Sequence, residues 1–308
     1  MGELQDVEVV AEGLGFPEGP VALADGGVLV TEINRGHLTK VGKDGSLDVV
    51  ADCGGGPNGA AIGPDGACYV TNNGGFGERR LGHGCIQRVD LASGAVEVLY
   101  ESCDGRPLLS PNDLVFDTSG GLWFTDIGEA GRWTHERGGV YYAAADGSSI
   151  ERAVHPTDVS NGIGLSPDGS ILYFAETDAA RVQRRRVAAP GRLVPADAVD
   201  TRTVFRGRPL DLWPLLLRLP GYAQFDSLAV DSAGNVCVGT LLDPGITVVS
   251  PDGDYEHLAL PAGFDEPLVT NICFGGDDLT TAYLTLSMTG RLVSCRWPRQ
   301  GLRLAFNA

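Results

Sequence analysis

One short pattern recurs six times along this chain, and few folds can accommodate it. A Glu, Asn or Asp opens each copy. A short apolar run follows, then a turn, then a second run ending near Thr or Asn. The copies are "PEGPVALADGGVLVTE" from Pro17, "PNGAAIGPDGACYVTN" from Pro57 and "PNDLVFDTSGGLWFTD" from Pro111. They continue with "SNGIGLSPDGSILYFAET" from Ser160, "FDSLAVDSAGNVCVGT" from Phe225 and "TNICFGGDDLTTAYLT" from Thr270. The opening polar residues are Glu18, Asn58, Asn112, Asn161, Asp226 and Asn271, spaced by 40, 54, 49, 65 and 45 residues. A mean near ~50 residues is that of a four-stranded propeller blade.

Local chemistry agrees with short strands. Asp25-Gly26, Asp65-Gly66 and Asp168-Gly169 suit tight hairpins, because both central positions tolerate positive φ. The flanking runs are rich in Val, Ile, Leu, Tyr and Phe, which fit a pleated, buried surface. Further runs such as "GHLTKV", "GCIQRV" and "GGVYYA" read as third strands. Runs such as "LDVVAD", "AVEVLY", "IERAVH" and "RTVFRG" read as fourth strands. The last copy lacks a fourth strand, and the N-terminal "LQDVEVVAE" is expected to supply it and close the ring. The predicted fold is therefore all-β: a single six-bladed β-propeller over residues 1–308, with four-stranded antiparallel blades. An apolar insert, residues 206–224, interrupts the longest spacing. Its prolines at 209, 214 and 220 forbid a long helix, and it is expected near the channel mouth.

Composition narrows the function. The 308 residues carry a net charge of −17, which argues against nucleic acid and anionic membrane as partners. No apolar run reaches the roughly 18–20 residues of a membrane span. The seven cysteines, at 53, 68, 85, 103, 237, 273 and 295, include no C-x-x-C pair. Reduced thiols are expected, with Cys68, Cys237 and Cys273 buried in strands. The start "MGELQDVEVV" has neither a basic nor an apolar leader region, so a cytoplasmic location is the expectation.

In a propeller the first strand of each blade lines the central channel. The six opening residues should then gather at one rim. An Asn-Gly pair taken alone, as at 58–59 or 161–162, reads as a turn. Turn chemistry does not explain Pro-Glu-Gly or Phe-Asp-Ser in the same register. A common polar site does. Two carboxylates and several amides, without His or Cys, form a hard-oxygen set suited to Ca²⁺, Mg²⁺ or Mn²⁺.

With "FPEGP", "SPNDLVFDTSGGLWFTD", "SNGIGLSPDGSILYFAET" and "FDSLAVDSAGNVCVGT", the chain resembles the gluconolactonase/regucalcin (senescence marker protein) family along nearly its whole length. The resemblance implies a lactone hydrolase with one divalent cation, Ca²⁺ first and Zn²⁺, Mn²⁺ or Mg²⁺ as alternatives. It implies Glu18, Asn161 and Asp226 as metal ligands, Asn112 on metal or substrate, and Asp226 as general base. Sugar-lactone members carry an Arg two residues before the residue matching Asn112, where this chain has Ser110.

Loops following the second strands should flank the mouth: 72–84, 126–139 and 241–245. Trp133 and His135, with Arg132 and Trp213, are thus expected substrate contacts, beside Asn58 and Asn112. The expected partner is a small lactone or cyclic ester, and the chain a monomer or small homo-oligomer. Two alternatives are a strictosidine synthase-like propeller enzyme, which uses no metal carboxylates, and a non-catalytic propeller binding calcium or a protein. No H-E-x-x-H, G-x-S-x-G or phosphate loop suggests other chemistry.

Overall fold

A computed structural model describes residues 2–75, 80–195, 204–205, 208–209, 214–221 and 223–306. No helix occurs among them. Six antiparallel sheets form a six-bladed β-propeller, as the repeat predicts. Blade 1 runs outward as Pro17–Ala22, Val28–Glu32, His37–Val41 and Leu47–Asp52. Blade 2 is Pro57–Ile62, Cys68–Asn72, Cys85–Val89 and Val96–Tyr100. Blade 3 is Pro111–Phe116, Gly121–Ala130, His135–Ala144 and Ile150–Val154. Blades 4, 5 and 6 start at Ser160–Leu165, Gln224–Val230 and Val269–Gly275.

In blade 6, Gln5–Ala11 pairs antiparallel with Arg291–Arg296. Chain start and chain end thus share one sheet, so its ladder hydrogen bonds bind the ring shut. Gly2–Glu3 adds in parallel to the outer strand of blade 5, Tyr255–Ala259.

The core is not at the centre. Inner strands are wholly buried, as in Pro111–Phe116, while the outer Leu47–Asp52 is largely exposed. Apolar side chains form six clusters, one between each pair of neighbouring blades. Trp123 lies between blades 3 and 4, Phe225 between 4 and 5, and Trp297 between 5 and 6. Fully burying one large apolar side chain contributes roughly 1.5–3 kcal/mol. This leaves the axis free for polar groups. Cys68 and Cys237 are fully buried and Cys273 is half-buried, all within strands.

Blade 4 departs from the sequence reading. "RTVFRG" is not its fourth strand: Val204–Phe205 pairs instead with Arg208–Pro209. The outer position holds Leu215–Arg218 against Arg181–Gln183, with Arg192–Leu193 further along the same strand. Leu216 is buried in the cluster between blades 4 and 5. Residues Leu215–Arg218 of the apolar insert are therefore an outer strand rather than a mouth loop. Leu217 and Leu219 pack against the same cluster, while Leu215 is exposed. Trp213 lies outside the described residues.

A last segment crosses the floor of the channel, at the end of the Asp-Gly turns. Gly301 bridges Asp231, and Leu302 N–H donates to the Val230 carbonyl at 3.1 Å, both in blade 5. Phe306 reaches blade 3, where its ring meets Phe116 edge-on at 5.8 Å. Between this strap and the inner strands lies a cavity of about 1340 Å³, walled by Val21, Leu114, Ile163, Leu228 and Ile272.

Candidate active site at the channel rim

Each inner strand carries one extra residue at its opening position. Pro57 pairs with Asn72 and Ala60 with Val70, so three residues oppose two. The same slip falls between Glu18 and Val21, Pro111 and Leu114, Ser160 and Ile163, and Phe225 and Leu228. Blade 6 has it between Val269 and Asn271. A bulge bends the strand and re-aims its side chains. Six bulges at one level turn the six opening residues into the channel.

Glycine follows in three blades because neighbouring inner strands nearly touch there. A Cβ on Gly19 would meet the Asn58 carbonyl oxygen at 2.3 Å. One on Gly59 would meet the Asn112 carbonyl at 2.7 Å, and one on Gly162 the Leu228 nitrogen at 2.6 Å. The Asn-Gly pairs are thus parts of strands, not turns. Glycine serves close approach here, not the turn chemistry that sequence alone suggests.

The bulges leave polar backbone unpaired, and threonines of the second strands satisfy it. Thr71 Oγ1 accepts from Gly59 N–H at 2.8 Å and donates to the Asn112 carbonyl of the next blade. Thr31 donates likewise to the Asn58 carbonyl, and Thr125 to that of Asn161. Across the ring closure Ser287 donates to the Pro17 carbonyl at 2.6 Å.

A buried anchor follows each of these threonines, and in blade 4 it follows Ala175. Glu32 Oε2 accepts from Gly15 N–H at 2.6 Å, and Asn72 Oδ1 from Gly56 N–H at 2.9 Å. Asp126 accepts from the N–H groups of Leu109, Ser110 and Gly128. Glu176 Oε1 accepts from Asp158 N–H at 2.7 Å. Each side chain grips the loop that leads into the opening residue. Phe16 and Val159 sit at φ 60° and 59°, a left-handed conformation that costs a non-glycine residue energy. The grips of Glu32 and Glu176 hold those two turns, just ahead of Glu18 and Asn161.

All six opening residues are buried. Glu18 is only 3% exposed; its Oε2 accepts from Asn271 Nδ2 at 2.9 Å and from Gly19 N–H at 3.1 Å. Burial pushes its carboxyl up to about 7, against the lowering effect of those donors. Burial, with Glu18 nearby, pushes Asp226 up as well. Asn161 donates to Thr177 Oγ1 at 3.2 Å and accepts from Ser227 Oγ at 3.3 Å. The side-chain oxygens of Asn58 and Asn112 are buried without any hydrogen-bond partner.

A third carboxylate, Asp113, escaped the sequence reading. It is buried and lines the upper end of the cavity with Asn271. Burial pushes it up to about 7, and Glu18 adds to the rise. A signal for it was present: blade 3 has Asp where blades 1, 2 and 4 have Gly.

Residues 16–288 match the SMP-30/Gluconolactonase/LRE-like region. The chain belongs to that family. It is 27% identical over 290 residues to a gluconolactonase of Zymomonas mobilis, an alignment covering 87% of this chain and 76% of that one. It is 29% identical over 155 residues to the lactonase drp35 of Staphylococcus haemolyticus, covering 50% of this chain and 43% of that one. Two solved structures share the fold at TM-score 0.73. One is a gluconolactonase from Xanthomonas campestris, 22% identical over 95% of this chain and 89% of that one. The other is a calcium-binding regucalcin from Agrobacterium tumefaciens, 19% identical over 99% of both chains.

For this family member the site fits a hard cation by its donor set. It joins two buried carboxylates to the unpartnered Asn58 and Asn112 oxygens, and no ion pair reaches Glu18, Asp113 or Asp226 among the described residues. No group of three His, Cys, Asp or Glu converges on a metal position among the described residues. A set of two carboxylates completed by amide oxygens does not need one.

Asp126, opposite Pro111, ends the shared part of the blade 3 ladder, and the hairpin to His135 continues past the rim. Trp133, at its tip, is 85% exposed and stacks only against Arg132, at 5.1 Å, among the described residues. His135 is exposed at the root of that tip, paired with Ala130. The structure brings the six opening residues and Asp113 together, but not these two. The large cavity meets this site only through Asp113 and Asn271; Glu18 and Asp226 are not among its lining residues.

Proposed function

We propose that this chain hydrolyses lactones at the rim of the channel, with one divalent cation, Ca²⁺ first, held by Glu18, Asn161, Asp226 and Asn112. The observation that carries the reading is the unpartnered Asn112 and Asn58 oxygens beside two buried carboxylates. An unsatisfied buried acceptor costs about 1–3 kcal/mol, and a buried unpaired carboxylate more. A bound cation offsets these costs together. The gluconolactonase and lactonase relatives point to the same substrate class.

When bound, the cation supplies positive charge to the lactone carbonyl and to the oxyanion that develops there. The chain's own groups do the rest. Asn58 and Asn112 face the substrate with their amides and fix the ring. Asp226 takes the proton of the attacking water and returns it to the ring oxygen as the ester bond breaks, giving a hydroxy acid. The hydrogen bond between Asn161 and Ser227 sets Asp226 beside it. Trp133 and His135 reach the substrate only by movement of their hairpin. Ser110 offers a hydroxyl where sugar-lactone members carry a guanidinium, and its N–H is already bound to Asp126. A lactone less polar than a sugar lactone suits this mouth.

The deciding experiment is a lactone panel, apolar and polyhydroxylated, run with chelator and with added Ca²⁺, Mn²⁺, Mg²⁺ or Zn²⁺. Turnover restored by cation supports the proposal. Stoichiometric cation binding without turnover on any lactone would leave a calcium-binding propeller instead.

A further inference from the structure

We propose that Asp113 is a positioning residue that strengthens cation binding without ligating the cation: it adds a third negative charge beneath Glu18 and Asp226 and ties together the strands that present Asn161 and Asp226. The inference rests on the divalent-cation reading above.

Three observations carry it. The first is place. Asp113 follows Asn112 in the blade 3 bulge, where the neighbouring inner strands are in contact. A Cβ on Gly59 would lie 2.8 Å from Asp113 Oδ1. The carboxylate is therefore wedged against blade 2 and points inward. The second is its partners. Oδ1 accepts from Leu114 N–H at 2.9 Å, and Oδ2 faces Ile163 N–H of blade 4 at 3.4 Å. The Ser227 hydroxyl of blade 5 lies near enough to oppose the rise in its carboxyl. These contacts link Asp113 to the strands that present Asn161 and Asp226, and its place lining the cavity, which neither Glu18 nor Asp226 does, sets it beneath them. Ile163 stands two residues from Asn161, and Ser227 adjoins Asp226. The Ser227 hydroxyl donates to Asn161 Oδ1 at 3.3 Å.

The third is charge. Glu18 and Asp226 neutralise a divalent cation between them. No ion pair compensates Asp113 among the described residues. A buried carboxylate without a counter-charge weakens a fold. A positive ion in the space above it would offset that cost. Charge count is one lever by which proteins tune Ca²⁺ affinity.

The test is Asp113→Asn, which keeps shape and removes charge, measured beside wild type and Glu18→Gln. Calorimetry with Ca²⁺ gives affinity; thermal unfolding in chelator at pH 8 gives the stability of the cation-free chain. The expected result is affinity weaker by about 10- to 100-fold, with stoichiometry unchanged. The cation-free melting temperature should hold or rise, because a repelling charge has gone. A purely structural role predicts the reverse: a lower melting temperature, or no folded protein, in chelator. Either that result or wild-type affinity in Asp113→Asn overturns the proposal. If wild type itself binds no divalent cation, both this inference and the function proposed above fail. If Glu18→Gln loses binding while Asp113→Asn keeps it, only this one does.

Discussion

Asn271 donates to the Glu18 carboxylate at 2.9 Å, although 253 residues separate them in the chain. The bond joins the last blade to the first at the level of the proposed ligands. The ring is thus closed twice, by a strand at its edge and by a polar contact at its axis. Glu18 takes its place only when the whole propeller is assembled.

Glu18→Gln should bind Ca²⁺ much more weakly, because it removes one of two anionic ligands and keeps the shape. Asn161→Ala should weaken binding less, since it removes a neutral one. Metal content after exhaustive dialysis measures both. Unchanged content in both variants would falsify the ligand assignment.

Asp226→Asn retains an oxygen that can coordinate and loses the basic carboxylate. Removing a general base commonly lowers the rate by roughly 10²–10⁴. The variant should bind Ca²⁺ with reduced affinity and turn over lactones at that reduced rate even when saturated. Near-normal turnover would reduce Asp226 to a ligand and turn attention to His135.

Gly59→Ala places a Cβ 2.7 Å from both the Asn112 carbonyl oxygen and the Asp113 Cα. Backbone cannot yield as a flexible side chain can. Overpacking of this kind typically costs 1–3 kcal/mol, about 1–3 here or somewhat more. Thermal unfolding should show the loss, with cation affinity falling too because Asn112 is displaced. A variant with wild-type stability and affinity would show that the inner strands are not in tight contact.

The cation-free chain should lose stability as pH rises. Burial lifts Glu18 from 4.5 to about 7 and Asp113 from 3.8 to about 7. Between those limits the folded chain holds protons that the unfolded chain has released. Stability is therefore greatest below the unfolded values and falls as pH climbs through the folded ones. With saturating Ca²⁺ the slope should reverse, because the cation needs deprotonated carboxylates. Melting curves from pH 5 to 8, with chelator and with Ca²⁺, test this. Parallel slopes in the two series would sink it.

Phe306→Ala should loosen the strap across the channel floor. It removes the edge-on contact with Phe116 at 5.8 Å and part of a half-buried ring. Aromatic pairs contribute about 0.5–1.5 kcal/mol beyond burial. A melting-temperature drop of corresponding size, with unchanged Ca²⁺ affinity, is expected. A large fall in affinity would show that floor and rim are mechanically linked.

Much of this was legible in the sequence because a propeller is a local repeat. Each blade is one meander, and its strands and turns follow from runs of Val, Ile, Leu and Asp-Gly within about 45 residues. The polar residue at each opening, from Glu18 to Asn271, stood in register on the page. What the tertiary structure alone decided lies between blades. Only the contact of neighbouring inner strands explains Gly19, Gly59 and Gly162, of which the last two read locally as turn residues. Thr31, Thr71 and Thr125 look like ordinary strand residues until the next blade's carbonyl arrives. Leu215–Arg218 became an outer strand because the edge of blade 4 was open to it. Asp113 shows in sequence only as an Asp where three other copies have Gly, and its burial comes from blades 2, 4 and 5 closing around it. Periodicity reports which residues a chain repeats. Their meeting at one axis depends on the distance between blades, which no single repeat contains.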